Sequence, residues 1–339
     1  MDKLRMGLVG YGRFGKIHAE AISATGAAEV TCACVGTEER ALEVKKILGI
    51  DAVYTDYDEF LEKGKMDVVD IVSPNNLHAE QTIKAIERGM DIFLEKPMAV
   101  TVEDARKIIE AHRHKPTKIQ VGFNYRYEPF WKEIKSDLQQ GAVTRPTFAK
   151  IEDWRGPFRQ GSGGWRFDGS RVGHQLLELA VHYFDIAAWY FGIPETISGF
   201  TDSPQTWKNG VFRSALGVLS YPSGLKVIVA NTLNGFSTNV SVSVSGDGAL
   251  FGEIQTAEDW VTTSAWVRVK DTAGAFRGVK LGIPEEAETM TMEMADFVET
   301  VRKGREPSVT LEDGFKALSL ALTTIASVES GRPEKPPVL

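Results

Sequence analysis

The sequence predicts an α/β chain in two parts: a doubly wound parallel sheet, then an α+β half with a large open, mostly antiparallel sheet. Three observations carry this. Short, continuously apolar segments alternate with helical patterns over the first 122 residues. A glycine-rich turn, Gly10 to Gly15, separates the first apolar segment from the first helix. Beyond Asn124 the pattern changes to long alternating segments broken by Gly, Ser, Asn and Asp. Continuous apolar strands joined by helices belong to a parallel sheet covered on both faces, whereas alternation marks a sheet with one face packed. The expected domains are 1–122 and 123–339, and 339 residues suffice for two cores.

Taken in order, Met6 to Val9 reads as a strand, Lys16 to Thr25 as a helix, Val30 to Val35 as a strand and Glu38 to Leu48 as a helix. Val68 to Val72 is a buried strand, followed by Ser73-Pro74-Asn75-Asn76 and a helix from Leu77 to Arg88. Met90 to Leu94 is the next strand. Thr101 caps a helix to His114, with Glu103 and Asp104 in the first turn, where the dipole favours acids. Lys118 to Val121 is one more strand. In the second half a helix, Pro129 to Gln140, precedes strands at Thr147 to Trp154, Val211 to Ser220, Leu225 to Asn234, Val240 to Val244 and Val261 to Val269. Tyr221-Pro222-Ser223-Gly224 is a hairpin turn. Helices Glu286 to Lys303 and Leu311 to Ser330 close the chain before an irregular tail, Arg332 to Pro337.

Bulk properties remove several classes of function. The net charge of -7 provides no electrostatic footprint for nucleic acid. No apolar run approaches the ~18 residues that span a bilayer, and the start Met1-Asp2-Lys3-Leu4-Arg5 leaves no room for a signal peptide. Cys32 and Cys34 are the only cysteines; at i,i+2 on a strand a disulfide between them would be strained. A reduced, cytoplasmic protein without a metal site is the expectation.

The glycine hexad Gly10-Tyr11-Gly12-Arg13-Phe14-Gly15 follows a strand and opens a helix, the context of a dinucleotide-binding Rossmann turn. Its glycines permit a tight turn, backbone approach to a pyrophosphate and close helix–strand packing, while the helix N-terminus holds the phosphates. Glu95-Lys96-Pro97 stands where a parallel strand ends, the edge at which such sheets bind ligands. Pro97 restricts Lys96 to extended conformations. A lysine so placed points to a nicotinamide-dependent enzyme with Lys96 at its catalytic centre. In the second half, Glu178 and His182 interrupt an apolar helix from Gln175 to Asp185 at i,i+4, and Asp185 stands at i+3 from the histidine. A carboxylate beside an imidazole suits acid–base work near neutral pH. A polar stripe without chemistry gives the same pattern.

In order along the chain, several motifs resemble the glucose–fructose oxidoreductase / inositol dehydrogenase (Gfo/Idh/MocA) family. They are the glycine turn with His18, Ser73-Pro74-Asn75-Asn76-Leu77-His78, Glu95-Lys96-Pro97, Gly122-Phe123-Asn124-Tyr125-Arg126, Trp165-Arg166, the Glu178–His182–Asp185 helix and Leu311-Glu312-Asp313-Gly314. The resemblance implies hydride exchange between a nicotinamide cofactor and a sugar, polyol or related hydroxy compound. It also implies a homodimer or homotetramer built on the C-terminal sheet. Lys96 and His182 inherit catalytic roles, with Glu178 orienting the histidine or a substrate hydroxyl. Cofactor contacts are expected from Gly10, Tyr11, Gly12, Arg13, Phe14, Gly15, Gly36, Thr37, Arg40, Ser73, Pro74, Asn75, Asn76, His78, Glu95, Lys96, Asn124, Trp165 and Arg166. Substrate contacts are expected from Lys96, Tyr125, Trp154, Arg155, Arg166, His174, Glu178 and His182, with solvent exposure of His174 and a core-filling role of Trp154 the competing readings.

Departures from the family pattern bear on substrate and cofactor. Glu178 stands where the family carries Asp, and Arg171-Val172-Gly173-His174 replaces a glycine triplet, which reshapes the pocket. The acid that binds the ribose hydroxyls of NAD is replaced by Val35; Gly36, Thr37 and Arg40, with Arg13, suit a 2′-phosphate, so NADP is favoured over NAD. Glu38 and Glu39 argue for NAD or act as first-turn acids. An NAD-dependent glycosidase and a non-catalytic dinucleotide sensor are the alternatives that the same resemblance allows.

Overall fold

The computed structural model describes residues 2–156, 168–207, 212–235, 238–256 and 262–339. The chain forms two compact units. The first takes in Met1–Asn124, the segment ending at Gly173, and Glu285–Phe315. The second holds the remainder.

In the first unit β1 (Leu4–Val9), α1 (Arg13–Ala24), β2 (Ala28–Cys34), α2 (Glu38–Leu48), β3 (Val53–Tyr54), α3 (Tyr57–Lys63), β4 (Val68–Ile71), α4 (His78–Glu87), β5 (Asp91–Glu95), α5 (Val102–His112) and β6 (Ile119–Gly122) follow one another. The six strands are parallel, in the order β3-β2-β1-β4-β5-β6, the doubly wound arrangement. The short β3 and α3 lack enough periodicity to be read from sequence, though Asp56 caps α3 by accepting from the Glu59 amide. Thr37 and Thr101 cap α2 and α5 in the same way.

The second unit continues with α6 (Pro129–Gln139) and β7 (Thr144–Trp154). The short helix α7 (Gly169–Val172) ends the segment belonging to the first unit. A π-helical turn, Leu176–Ala180, then leads into α8 (Val181–Phe191), followed by β8 (Thr196–Thr201), α9 (Pro204–Trp207), β9 (Ser214–Ser220), β10 (Lys226–Thr232), β11 (Asn239–Thr256), β12 (Thr262–Lys270) and β13 (Phe276–Leu281). The sheet has seven strands, β13-β12-β11-β7-β10-β9-β8, antiparallel except where β10 runs parallel to β7. One face is covered: Gly217 lies against Phe184 of α8, and Gly252 against Phe130 and Ile134 of α6. The other face shows half-buried or exposed side chains, among them Phe148, Trp154, Phe200 and Phe251.

The closing helices are α10 (Glu286–Lys303) and α11 (Leu311–Ser330). Sequence position assigns α10 to the second domain, but Met290, Met294, Phe297 and Val298 pack with Met6, Ile22, Val68 and Phe93 in the first unit's core. The tail is not wholly irregular: Glu334 exchanges backbone hydrogen bonds of 2.8 and 2.9 Å with Ile197 at the sheet edge.

Candidate active site

In the first unit a cleft of about 640 Å³ opens along the glycine turn. Gly10, Tyr11, Gly12, Arg13, Phe14, Gly15, Val35, Gly36, Thr37, Arg40, Val72, Ser73, Pro74 and Arg171 line it. Two glycines are required by the backbone. Gly10 has φ +94 and a Cβ there would meet the Val72 carbonyl at 2.7 Å; a Cβ at Gly15 would meet the Gly10 carbonyl at 2.3 Å. The turn therefore packs backbone on backbone, leaving α1's first amides open to the cleft, which fits a dinucleotide.

Three arginines border this cleft. Arg13 pairs with Glu286, and Arg40 contacts Glu43 and the Tyr11 carbonyl. Arg171, whose role as a cleft residue the sequence reading missed, has its charge acting on Asp168. Its signal was the replacement of a glycine-rich stretch by bulkier residues. The Thr37 hydroxyl is occupied as a cap, accepting from the Arg40 amide at 3.2 Å. Glu38 accepts from Thr55 at 2.8 Å.

Lys96 follows β5 directly, is 8% exposed and precedes a cis Lys96–Pro97 peptide. Beneath it, Glu95 is buried and uses one carboxylate oxygen to accept the Lys96 amide at 3.0 Å. The other oxygen lies 3.2 Å from Nε2 of His18, whose Nδ1 lies 3.0 Å from Asp70 on β4. With Asp70 and Glu95 ionised, both ring nitrogens donate and His18 is an imidazolium, although burial raises the Asp70 carboxyl above its usual range. Burial opposes its charge, but Asp70 and Glu95 outweigh that and raise its pKa to about 10. Burial likewise opposes the charge on Glu95, yet His18 holds that carboxyl below the usual range. His78 is buried too, with Nδ1 2.8 Å from the Pro97 carbonyl and Nε2 2.8 Å from the Ser73 carbonyl. Asn75 donates to the Val172 carbonyl at 3.3 Å, and Asn76 is exposed.

In the second unit, Glu178 is buried in the π-helical turn and His182 lies in the first turn of α8. Single π turns inside helices mark functional sites often, because they re-aim side chains. Tyr125 stacks on the His182 ring at 4.5 Å and 26°, and on Trp131 at 5.6 Å. Burial pushes the Tyr125 hydroxyl above its usual pKa, so it stays protonated. The Tyr183 ring lies tilted on Tyr125 at 5.7 Å, and its hydroxyl favours the charged form of the buried Asp153.

Several placements differ from expectation. Asp185 is bound bidentately by Arg126, at 2.9 and 2.6 Å. His174 is buried, not solvent-exposed: its Nδ1 accepts the Leu176 amide at 3.0 Å and its ring stacks on Phe212. Trp154 follows Asp153 on β7 and so points to the open face, opposite the one α8 covers; there it lines a groove with Phe200, Leu216 and Ala230. Arg155 is half-buried, with its charge acting on Asp153. Asn124 is buried at the end of the first unit. Trp165 and Arg166 lie outside the described residues. No group of three or more metal-ligating side chains occurs among the described residues, and none of their helices is long and apolar enough to cross a membrane.

Comparison with known proteins adds the family. Residues 4–123 match the model described as "Oxidoreductase family, NAD-binding Rossmann fold", and residues 131–251 match the GFO/IDH/MocA C-terminal domain. Myo-inositol 2-dehydrogenase of Thermotoga maritima is 27% identical over 341 residues, covering 98% of both chains. The scyllo-inositol 2-dehydrogenase (NAD(+)) of Bacillus subtilis is 27% identical over 347 residues, covering 98% of this chain and 96% of the relative. A levoglucosan dehydrogenase solved with NADH and levoglucosan shares the fold, with a TM-score of 0.83 at 24% identity over 99% of this chain and all of the other. With both halves matched in order and the glycine turn set as a dinucleotide cleft, the chain belongs to the GFO/IDH/MocA family of NAD(P)-binding oxidoreductases.

Proposed function

We propose that this protein is an NAD(P)-dependent dehydrogenase/reductase acting on a CH–OH carbon of a sugar or polyol. The observation that carries the reading is Lys96, held at the carboxyl end of a parallel strand in the sheet whose glycine turn forms the dinucleotide cleft. The bound dinucleotide supplies the hydride acceptor. In the oxidative direction His182 takes the hydroxyl proton, and the Lys96 ammonium stabilises the alkoxide as charge develops. Glu178 orients the histidine or a substrate hydroxyl. Tyr125, stacked on His182, fixes the plane of its ring. The relatives named as inositol and levoglucosan dehydrogenases support a cyclic polyol or anhydro sugar as substrate.

For the cofactor, the finer reading is NADP. No acid ends β2, Glu38 is engaged with Thr55, and Arg13, Arg40 and Arg171 border the cleft. Relatives named with NAD stand on the other side. The same open sheet face supports a homo-oligomer, and the composition a cytoplasmic enzyme.

The test is turnover of a polyol and sugar panel, myo-inositol and levoglucosan included, with each cofactor. Lys96→Met should lower kcat by about 100-fold or more, about 3 kcal/mol, with cofactor affinity little changed. His182→Asn should flatten the pH–rate profile and abolish most turnover. Near-normal kcat in Lys96→Met refutes the mechanism, and tighter binding of NAD than NADP refutes the cofactor preference.

A further inference from the structure

Two buried histidines, neither of which needs to touch substrate, link the carboxyl ends of β4 and β5. His18, on α1, joins Asp70 of β4 to Glu95 of β5, at 3.0 and 3.2 Å. His78, on α4, joins the Ser73 carbonyl to the Pro97 carbonyl, at 2.8 Å each. Both connections run from the carboxyl end of β4 to the carboxyl end of β5, and Lys96 lies between their two anchor points on β5. We propose that His18 and His78 are positioning residues that fix the backbone of Lys96 relative to the cofactor loop at Ser73.

The links differ in kind. His18 sits at 0% exposure with Phe14 and Phe93 around its ring, at 6.3 and 5.6 Å. Its two acceptors make it a cation that cannot rotate without leaving a buried carboxylate unpaired. Glu95 passes that order on, because its second oxygen accepts the Lys96 amide at 3.0 Å. Gly122, paired with Glu95 across β5 and β6, leaves the room this carboxylate needs: a Cβ there would stand 3.0 Å from Oε1. His78 works on the other flank. Its ring is wedged between two carbonyl oxygens; burial keeps it neutral, so its single N–H donates to one of them while the ring packs against the other. Lys96 is thus restrained one residue before and one residue after itself.

The inference rests on the reading of Lys96 as a catalytic residue, and its test separates the two. Glu95→Gln keeps the His18–Asp70 pair but offers one acceptor where two donors compete, so either His18 or the Lys96 amide loses its partner. His78→Leu removes the ring N–H, whereas His78→Gln retains an amide donor. Hydrogen exchange followed by mass spectrometry should show the peptide spanning 94–99 exchanging at least ten times faster in Glu95→Gln and His78→Leu. Strands β1 and β6 should keep their protection. His78→Gln should restore protection to within threefold. With myo-inositol as probe substrate, kcat should fall at least tenfold while KM stays within threefold. Unchanged exchange at 94–99, or equal loss over the whole sheet, overturns the positioning role. If exchange behaves as expected while Lys96→Met turns over normally, the positioning stands and the catalytic reading falls.

Discussion

Asp153 lies on the covered face of the second sheet, 0% exposed, with Asn231 3.3 Å from one oxygen. Burial raises its pKa to about 6, against Arg155, Tyr183 and Asn231, which favour the charged form. A carboxyl raised above its unfolded value binds its proton longer in the folded state. Its contribution is fully present below about pH 4 and is lost as pH rises through about 6. Asp153→Asn should therefore match the parent near pH 4 and become the more stable protein above pH 6, by on the order of 1–3 kcal/mol. Urea unfolding at a series of pH values measures this; a gap independent of pH removes the buried charge from the account. Asp153 was invisible in the sequence because an alternating strand does not say which face is covered. The same ignorance placed Trp154 beside the substrate. Lys96 was legible because its constraint is local, set by the strand before it and the proline after it. Asp185 was not, because its partner Arg126 stands 59 residues away.

The helix α10 shows the same limit at the scale of an element. Its apolar residues Met290, Met294, Phe297 and Val298 repeat at helical spacing, so its existence and its buried stripe follow from the sequence. Which sheet that stripe meets does not, since 285 residues precede the helix and nothing in its pattern names a partner. Phe297 meets Phe93 edge-on at 5.5 Å and packs with Met6, Ile22 and Val68. Helix α1, whose N-terminus faces the cofactor cleft, packs in that cluster through Ala21 and Ile22. Phe297→Ala should cost about 3–5 kcal/mol, the usual range for a buried phenylalanine that leaves a cavity. Hydrogen exchange should locate the loss in β1, β4 and β5. Loss confined to β7–β10 would return α10 to the second unit, as the sequence order alone implies.

At the scale of the whole molecule, the open face of the second sheet is the feature left over once each unit's core is accounted for. Phe148, Trp154, Phe200 and Phe251 are 41%, 42%, 56% and 38% exposed there, on three different strands. Exposed aromatics gathered on one sheet face are uncommon on a monomer and mark an interface. Seven strands at about 4.8 Å spacing make a face roughly 30 Å wide. With strands of about 20 Å, that is on the order of 600 Å² per partner, near the lower edge of a stable interface. A two-fold arrangement would use the same patch twice and leave no unmatched surface. The expected species is a dimer, or a tetramer built from two such dimers, at micromolar concentration by light scattering. Trp154→Asp with Phe200→Asp puts two like charges into each copy of the patch, four across a two-fold interface. It should shift the protein to monomer while leaving β1, β4 and β5 protected from hydrogen exchange. A parent protein that is monomeric at micromolar concentration, or a double variant that keeps its size, refutes assembly through this face.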